Sequence, residues 1–278
     1  MKLIKPNEKN KLIRQKPDQK NLTEGPLRGQ KLNSQKGKPS VSHKKRSIKL
    51  NLDKLAKNRC ICAFPNSPET EYYRILWANI KQHSIKHNWK TIMITSAYSR
   101  EGKTLTAINL AITIAKEFNQ NALLVDCDLK GQRIHRYLDY PSERGIINHL
   151  VDDYPIKDLI VWPGIHKLYL ISGGRAVVNS AELLGSSKMK AFVLELKNLN
   201  GGGYIIFDAP PVIGWADIIA FAPLADCILM VVEEGRTSVQ DVKNALEMII
   251  TEMGQKDWLV KERIALKKLL NCWDMLEL

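Results

Sequence analysis

From about residue 59 onward, short unbroken apolar runs alternate with longer segments in which apolar residues recur every three or four positions. The short runs read as strands buried on both faces and the longer segments as amphipathic helices. In chain order the pattern predicts a helix over 69–82, a strand over 91–95, a helix over 105–118 and a strand ending at Asp126. Short helices follow over 134–138 and 145–151, then a strand over 167–172, a helix over 179–184 capped at Asn179, and a helix over 188–199. A strand ending at Asp208, a helix holding Asp217, a strand over 226–232 and a helix over 238–253 complete the series. Strands joined by helical crossovers predict an α/β fold, a doubly wound and mostly parallel sheet with helices on both faces. No internal repeat occurs. The last segment is atypical: 255–260 makes a poor closing strand, whereas Val260, Ile264, Leu269, Trp273 and Leu276 share one side of a helix. That helix would pack on the domain, or dock on a partner or a membrane surface.

Charge divides the chain in two. The net charge is +13, and residues 1–58 hold 17 Lys+Arg against 4 Asp+Glu, while the remainder holds 25 of each. The first 58 residues have no aromatic residue and little apolar periodicity, so they cannot bury enough surface to offset the entropy of ordering. They are expected to form a disordered basic arm, with a single α/β domain over 59–278. Such an arm could solubilise, attract an anionic membrane surface or touch nucleic acid nonspecifically; no specific nucleic-acid motif accompanies it. No apolar core of signal-peptide length lies between Met1 and Lys20, and no window approaches the roughly 18 apolar residues of a spanning helix. The five cysteines are scattered, Cys60-Ile61-Cys62 is too tight for a zinc knuckle, and a reduced cytoplasmic setting is expected.

The candidate chemistry sits where strands end. Thr91–Thr95 runs into Ser96-Ala97-Tyr98-Ser99-Arg100-Glu101-Gly102-Lys103-Thr104, and a helical pattern begins at Leu105. Strand, tight loop, Gly-Lys-Thr and helix together are the context of a phosphate-binding P-loop. Its backbone amides and helix N-terminus face an anion, its lysine reaches the outer phosphates, and its threonine hydroxyl can ligate Mg²⁺. Ser99, Arg100, Glu101, Gly102, Lys103, Thr104 and Leu105 are therefore the expected nucleotide-binding residues. Ala97 and Arg100 stand where glycines are usual, and taken alone the stretch could be an ordinary turn with a solvated lysine. Two further segments favour the nucleotide. Leu123-Leu124-Val125-Asp126-Cys127-Asp128 ends a strand in two carboxylates that can point the same way. Tyr204-Ile205-Ile206-Phe207-Asp208-Ala209-Pro210-Pro211 ends another in an aspartate that a double proline terminates. Ligands of open α/β sheets bind at that edge. Thr104, Asp126, Asp128 and Asp208 are the expected Mg²⁺ residues, and the class is a P-loop NTPase. No Asn-Lys-x-Asp segment is present to read guanine, so ATP is the expected nucleotide.

From about Ser67 to Glu252 the chain resembles the bacterial tyrosine kinase family of capsular and exopolysaccharide synthesis, within it the autokinase-type ATPases of exosortase polysaccharide loci. The residues that carry the likeness are Glu71-Tyr72-Tyr73-Arg74-Ile75-Leu76, Ser96–Thr104 with Asn109-Leu110-Ala111, and Leu124–Lys130. Ile171-Ser172-Gly173-Gly174, Asn179–Leu184, Phe207–Pro211 and Ala225-Asp226 complete them. The resemblance implies a phosphoryl transfer from ATP to tyrosine in which Lys103 pairs with the β- and γ-phosphates and Thr104 ligates Mg²⁺. Asp126 would be the catalytic carboxylate, Asp128 would support the metal and its waters, and Asp208 would hold Mg²⁺ through water. It also implies an integral membrane polysaccharide co-polymerase or chain-length regulator as activator, a peripheral place at the inner membrane, and self-association into a homo-oligomer. Three departures stand out. All eight tyrosines lie at or before Tyr204, so the family's C-terminal tyrosine cluster is missing. Trp77 replaces an arginine that would join Glu71 and Arg74 in a ring assembly, and Lys130 replaces a more usual arginine. A regulatory ATPase switch of the partitioning type is the alternative reading; those proteins carry a lysine where this chain has Tyr98.

Overall fold

The computed structural model describes residues 46–64, 67–118, 120–253 and 265–266. Strand β1 (Arg46–Ser47) and helix α1 (Leu52–Lys57) lead into a 3-10 turn and helix α2 (Thr70–His87). Strand β2 (Thr91–Ser96), helix α3 (Lys103–Lys116) and strand β3 (Ala122–Asp126) form the first parallel crossover. Helices α4 (Ile134–Tyr137), α5 (Ile146–Asp152) and α6 (Ile156–Leu159) follow, then strands β4 (Val161–Trp162) and β5 (Leu168–Ile171). Helices α7 (Ser180–Leu184) and α8 (Ser187–Leu199) lead to strand β6 (Tyr204–Asp208). Helix α9 (Ala216–Phe221), strand β7 (Cys227–Val231), helix α10 (Val239–Met253) and strand β8 (Ala265–Leu266) end the described chain.

The strands join in one sheet of order β1-β4-β5-β3-β6-β2-β7-β8. Every pairing is parallel except β4 with β5. The central strands β2, β3 and β6 are buried at every position, as the unbroken apolar runs predict. Their alternating side chains sort into two cores. Met93, Leu123, Val125, Ile205 and Phe207 pack beneath α5, α8, α9 and α10, whereas Ile92, Ile94, Leu124, Tyr204 and Ile206 pack beneath α2 and α3. The sheet is thus covered on both faces, and its strand ends are left as the place where polar chemistry can gather.

Three expectations change. The basic arm was expected to extend to residue 58, yet Arg46–Ser47 pairs with β4 and α1 buries Leu55 against the core. Cationic residues there are also used locally: Arg46 bonds Glu143 at 2.7 Å and Lys54 bonds Asp139 at 2.6 Å. The described fold therefore includes Arg46–Asn58, and residues 1–45 lie outside the described residues. At the other end, Ala265–Leu266 pairs in parallel with Met230–Val231 and is a strand rather than part of a helix. An unpaired edge of β7 offers a row of backbone donors and acceptors, and that demand outweighs the weak local helical pattern. The other residues of the proposed final helix lie outside the described residues. Helix α7 opens at Asn179, but that side chain makes no capping hydrogen bond, whereas Ser186 caps α8 by accepting from Met189 N.

Glycine at 145 is required by packing. A Cβ there would sit 2.0 Å from Ser172 O and 2.3 Å from Gly174 N, both rigid backbone at the end of β5. Gly145→Ala is expected to destabilise the domain by about 3 kcal/mol, the upper end of ordinary overpacking costs, because backbone cannot move aside as a side chain can. Urea denaturation measures this, and a change within error of zero would mean that the α5 junction is loosely packed.

Candidate active site

Three neighbouring strands bring the candidate residues together. Asp126 and Asp208 are register partners at the ends of β3 and β6, and Asp208 is also the partner of Ile94 on β2. The chain leaves β2 through Thr95, whose hydroxyl donates to Pro210 O at 2.6 Å and ties the loop to the double-proline exit of β6. It enters α3 through Gly102, whose φ of 93° is left-handed and whose missing Cβ faces open space. Arg100 also has a positive φ, 72°, a conformation that costs a residue with a Cβ about 1–2 kcal/mol. The glycine usual at that place would adopt it freely. The loop thus keeps its turn geometry despite the departure in sequence.

Lys103 lies in the first turn of α3, only 5% exposed. Its ammonium donates to Asp128 Oδ2 at 2.6 Å and lies 3.8 Å from Asp208 Oδ1. Burial by itself would lower its pKa, but Asp208, Asp128 and Asp126 outweigh burial and raise it, so the lysine stays charged. Asp126 is driven well above the usual carboxylate range by burial and then by Asp208 and Asp128, while the amides of Arg133 and Ile134 donate to its Oδ2 at 3.2 Å. Asp208 is fully buried, and burial raises its pKa to about 6 although Lys103 pulls the other way. The Thr104 hydroxyl also draws Asp208 down, but the contact falls short of hydrogen-bond geometry, and neither Asp208 oxygen nor Asp126 Oδ1 has a hydrogen-bond partner. Asp128 is held by Gly131 N, which donates to its Oδ1 at 3.0 Å; a Cβ on Gly131 would press against the same carboxylate.

These residues fit a hydrated divalent cation. Buried carboxylate oxygens without partners are costly unless a charge meets them. Mg²⁺ typically takes one or two carboxylates, keeps several waters and completes its shell with phosphate oxygens. No group of three or more His, Cys, Asp or Glu among the described residues is arranged to hold a metal ion by itself, so phosphate and water would have to supply most of the shell. The four amides that open α3 have no intrahelical acceptor, and with the helix dipole they favour an anion in front of Lys103.

The predicted loop residues do not all face that space. Ser99 and Arg100 are exposed at the crest, and Leu105 is half-buried against the α2 side of the core. Glu101 turns inward, 6% exposed, accepting from Tyr98 N at 2.8 Å and from the Thr237 hydroxyl. Burial raises its pKa, against the pull of the Tyr98 amide and Arg236. Its carboxylate ties the loop to the β7–α10 connection, and Tyr98 adds a second tie by donating its hydroxyl to Asp241 Oδ1 at 3.0 Å. Sequence reasoning missed Thr237, Asp241 and Arg133, since each lies in a segment with no motif of its own. Lys130 pairs with Asp217 at 3.1 Å, an aspartate also bonded by Ser180, and lies 5.0 Å over the Trp215 ring. Trp77 is core, 4% exposed, edge-on to Tyr204 at 4.6 Å and bonded through its indole N–H to Glu117. Glu71 and Arg74 pair with each other on the surface of α2, 3.1 Å apart.

A loop of this shape, heading a helix beside two register-paired aspartates in a doubly wound sheet, defines a P-loop nucleotide-binding domain. A family model described as an AAA domain matches residues 89–261. The tyrosine-protein kinase YwqD of Bacillus subtilis is 30% identical over 187 residues, covering 67% of this chain and 78% of that protein. The putative tyrosine-protein kinase CapB of Staphylococcus aureus is 27% identical, covering 69% and 82%. Among solved structures, the chimerical protein CapA2B2 superposes with a TM-score of 0.63 at 25% identity, over 74% of this chain and 88% of that one. The kinase domain of Escherichia coli ETK has the same fold, with a TM-score of 0.65 at 21% identity over 75% and 80%. This chain belongs to the AAA-domain P-loop ATPases and, within them, to the bacterial tyrosine-protein kinase family.

Proposed function

We propose that this protein is an ATP-dependent protein-tyrosine kinase serving capsule or exopolysaccharide biosynthesis, and that the residues around Lys103 are its active site. The observation that carries the site assignment is the buried Lys103 ammonium set among Asp126, Asp128 and Asp208 at the head of α3. When nucleotide enters, the ammonium exchanges its carboxylate contacts for the β- and γ-phosphate oxygens, and the α3 amides hold the same phosphates. Thr104, Asp126, Asp128 and Asp208 would hold Mg²⁺, directly or through water. The ion's chemistry there is neutralisation of phosphate charge. Asp126 would be the carboxylate that takes the proton of the attacking tyrosine hydroxyl. The site works mainly by positioning and by electrostatics prepared before reaction.

The likeness to the succinoglycan biosynthesis transport protein ExoP of Rhizobium meliloti, 29% identical and matched over 24% of its length, supports a polysaccharide role and an integral membrane partner as activator. No helix among the described residues is long and apolar enough to cross a membrane, so such a partner would supply the membrane attachment. Residues 1–45, with runs such as Lys44-Lys45, would add attraction to an anionic leaflet. A partitioning-type switch is disfavoured at position 98, where a neutral phenol bonded to Asp241 stands in place of a lysine.

The discriminating experiment incubates purified protein with ATP and Mg²⁺, with and without the membrane partner, and reads phosphotyrosine by immunoblot beside ATP hydrolysis. Phosphotyrosine that grows with the partner present is the expected result. Hydrolysis without phosphotyrosine on either protein would make the chain a switch.

A further inference from the structure

We infer that Tyr72 is the tyrosine this chain phosphorylates on itself, presented by one copy to the active site of another. The inference rests on the kinase reading above and concerns its acceptor. All eight tyrosines belong to the described residues, so each can be weighed by whether its hydroxyl can be reached. Tyr73, Tyr140 and Tyr204 are buried; Tyr73 meets Asn109 and Tyr140 bonds Ser172 at 2.8 Å. Tyr98 and Tyr154 are half-buried, the first bonded to Asp241 and the second accepting from Arg144. Tyr137 and Tyr169 are half-buried against the two cores. Tyr72 alone is exposed, at 37%.

Its setting favours presentation. Tyr72 lies in the first turn of α2, and the preceding Glu69 makes no side-chain capping bond, so this end opens locally at less cost than the helix interior. Tyr73, Trp77 and Ile80 seat α2 on the core, and Tyr72 lies at the solvent-exposed edge of that buried stripe. A helix seated in this way holds Tyr72 in place on its own molecule, so transfer is assigned to a second molecule. Ile75, one turn on and 43% exposed, extends the same exposed edge as an apolar contact for that copy.

Charge agrees. The acceptor stretch Glu69-Thr70-Glu71-Tyr72 keeps a net negative charge although Glu71 is paired with Arg74, while the rim of the catalytic space carries Arg100 at its exposed crest and Arg133, whose charge already lowers the pKa of Asp208. An acidic strip entering a cationic rim is steered and aligned by complementary potential. In the transfer, the Tyr72 phenolic oxygen of one copy forms a bond to the γ-phosphorus of ATP held by the other. The bond from that phosphorus to the β,γ-bridging oxygen breaks, ADP leaves with the electron pair, and the phenol proton passes to Asp126 of the nucleotide-bearing copy.

The test maps phosphorylation sites by tandem mass spectrometry after the full chain is incubated with ATP and Mg²⁺, with ATP hydrolysis measured in the same samples. Phosphate is expected on Tyr72, and Tyr72→Phe should lose the phosphotyrosine signal while hydrolysing ATP as the parent does. Mixed with active protein, a Lys103→Ala chain should acquire phosphate on Tyr72, which establishes transfer between copies. Phosphate on another tyrosine, an undiminished signal in Tyr72→Phe, or hydrolysis with no phosphotyrosine in the chain would overturn the acceptor and leave the ATPase reading standing. Absence of hydrolysis in the parent protein would overturn the kinase reading itself.

Discussion

Lys103→Ala is expected to reduce ATP turnover by at least about 10²–10³-fold, the usual consequence of removing one preorganised donor from developing negative charge. Among the described residues the ammonium is the positive side chain that forms ion pairs with Asp128 and Asp208, so its loss leaves the outer phosphates without that charge. The same change alters the nucleotide-free protein. Truncating one partner of a buried ion pair commonly costs about 3–5 kcal/mol when the remaining charge cannot neutralise. Here Asp126 and Asp208 already have raised pKa values and can take protons, so the stability loss should be smaller than that figure. Lys103→Arg separates the two effects: it keeps the charge among the aspartates and should hold the melting temperature near the parent's. Its planar fork should still fail to place one compact charge between phosphates. Steady-state hydrolysis and thermal melts on the three proteins provide the measurement, and unchanged turnover in Lys103→Ala would reject the site.

Asp208→Asn is expected to abolish turnover and yet stabilise the nucleotide-free domain at neutral pH. The folded pKa of Asp208 lies at about 6 against an ordinary 3.8, raised mainly by burial. A carboxyl whose pKa is raised on folding contributes most stability below its unfolded value and loses it as pH climbs through the folded value. Between about pH 4 and 6 the parent should therefore weaken by about 2–3 kcal/mol from this group, and stay weakened above that window. Asparagine has no proton to lose, so the variant should lack that decline and exceed the parent above about pH 6. Bound Mg²⁺-nucleotide should recover the deficit in the parent and much less in the variant. Urea denaturation across the pH range, with and without Mg²⁺-ATP, reads both effects. A variant less stable than the parent at neutral pH would mean that Lys103 already compensates Asp208 in full.

The two predictions describe one arrangement seen from opposite charges. On the proposed reading, the buried Lys103 and the three buried acids would receive a triphosphate and its metal, and the free protein would be less stable for it. Such strain at a functional centre is retained because removing it removes the chemistry.

Much of this arrangement could be read from the chain alone. Parallel strands buried on both faces require continuous apolar runs, so β2, β3 and β6 announce themselves, and an aspartate ending such a run can lie only at the sheet edge. Gly102, Lys103 and Thr104 between a strand and a helix, together with two strands ending in aspartate, point to a P-loop fold from local pattern alone. Local pattern carried those conclusions because each depends on residues a few positions apart.

Contacts between distant segments are of another kind. Glu101 and Thr237 are 136 residues apart, and Tyr98 and Asp241 are 143 apart; no spacing rule links them, and only folding shows that the P-loop is tied to the head of α10. Arg46–Ser47 is too short to read as a strand until β4 stands beside it, and Ala265–Leu266 until β7 does. Trp77 reads in sequence only as the replacement of an arginine, whereas edge-on packing against Tyr204 and an indole hydrogen bond to Glu117 draw it into the core. The sequence by itself determined the long central strands and helices and which strand ends bear acid, since backbone periodicity and burial are local demands. Tertiary structure alone decided which side chains share a charge, which tyrosine is exposed and which short edge strands join the sheet, since those are settled by neighbours the chain supplies from far away.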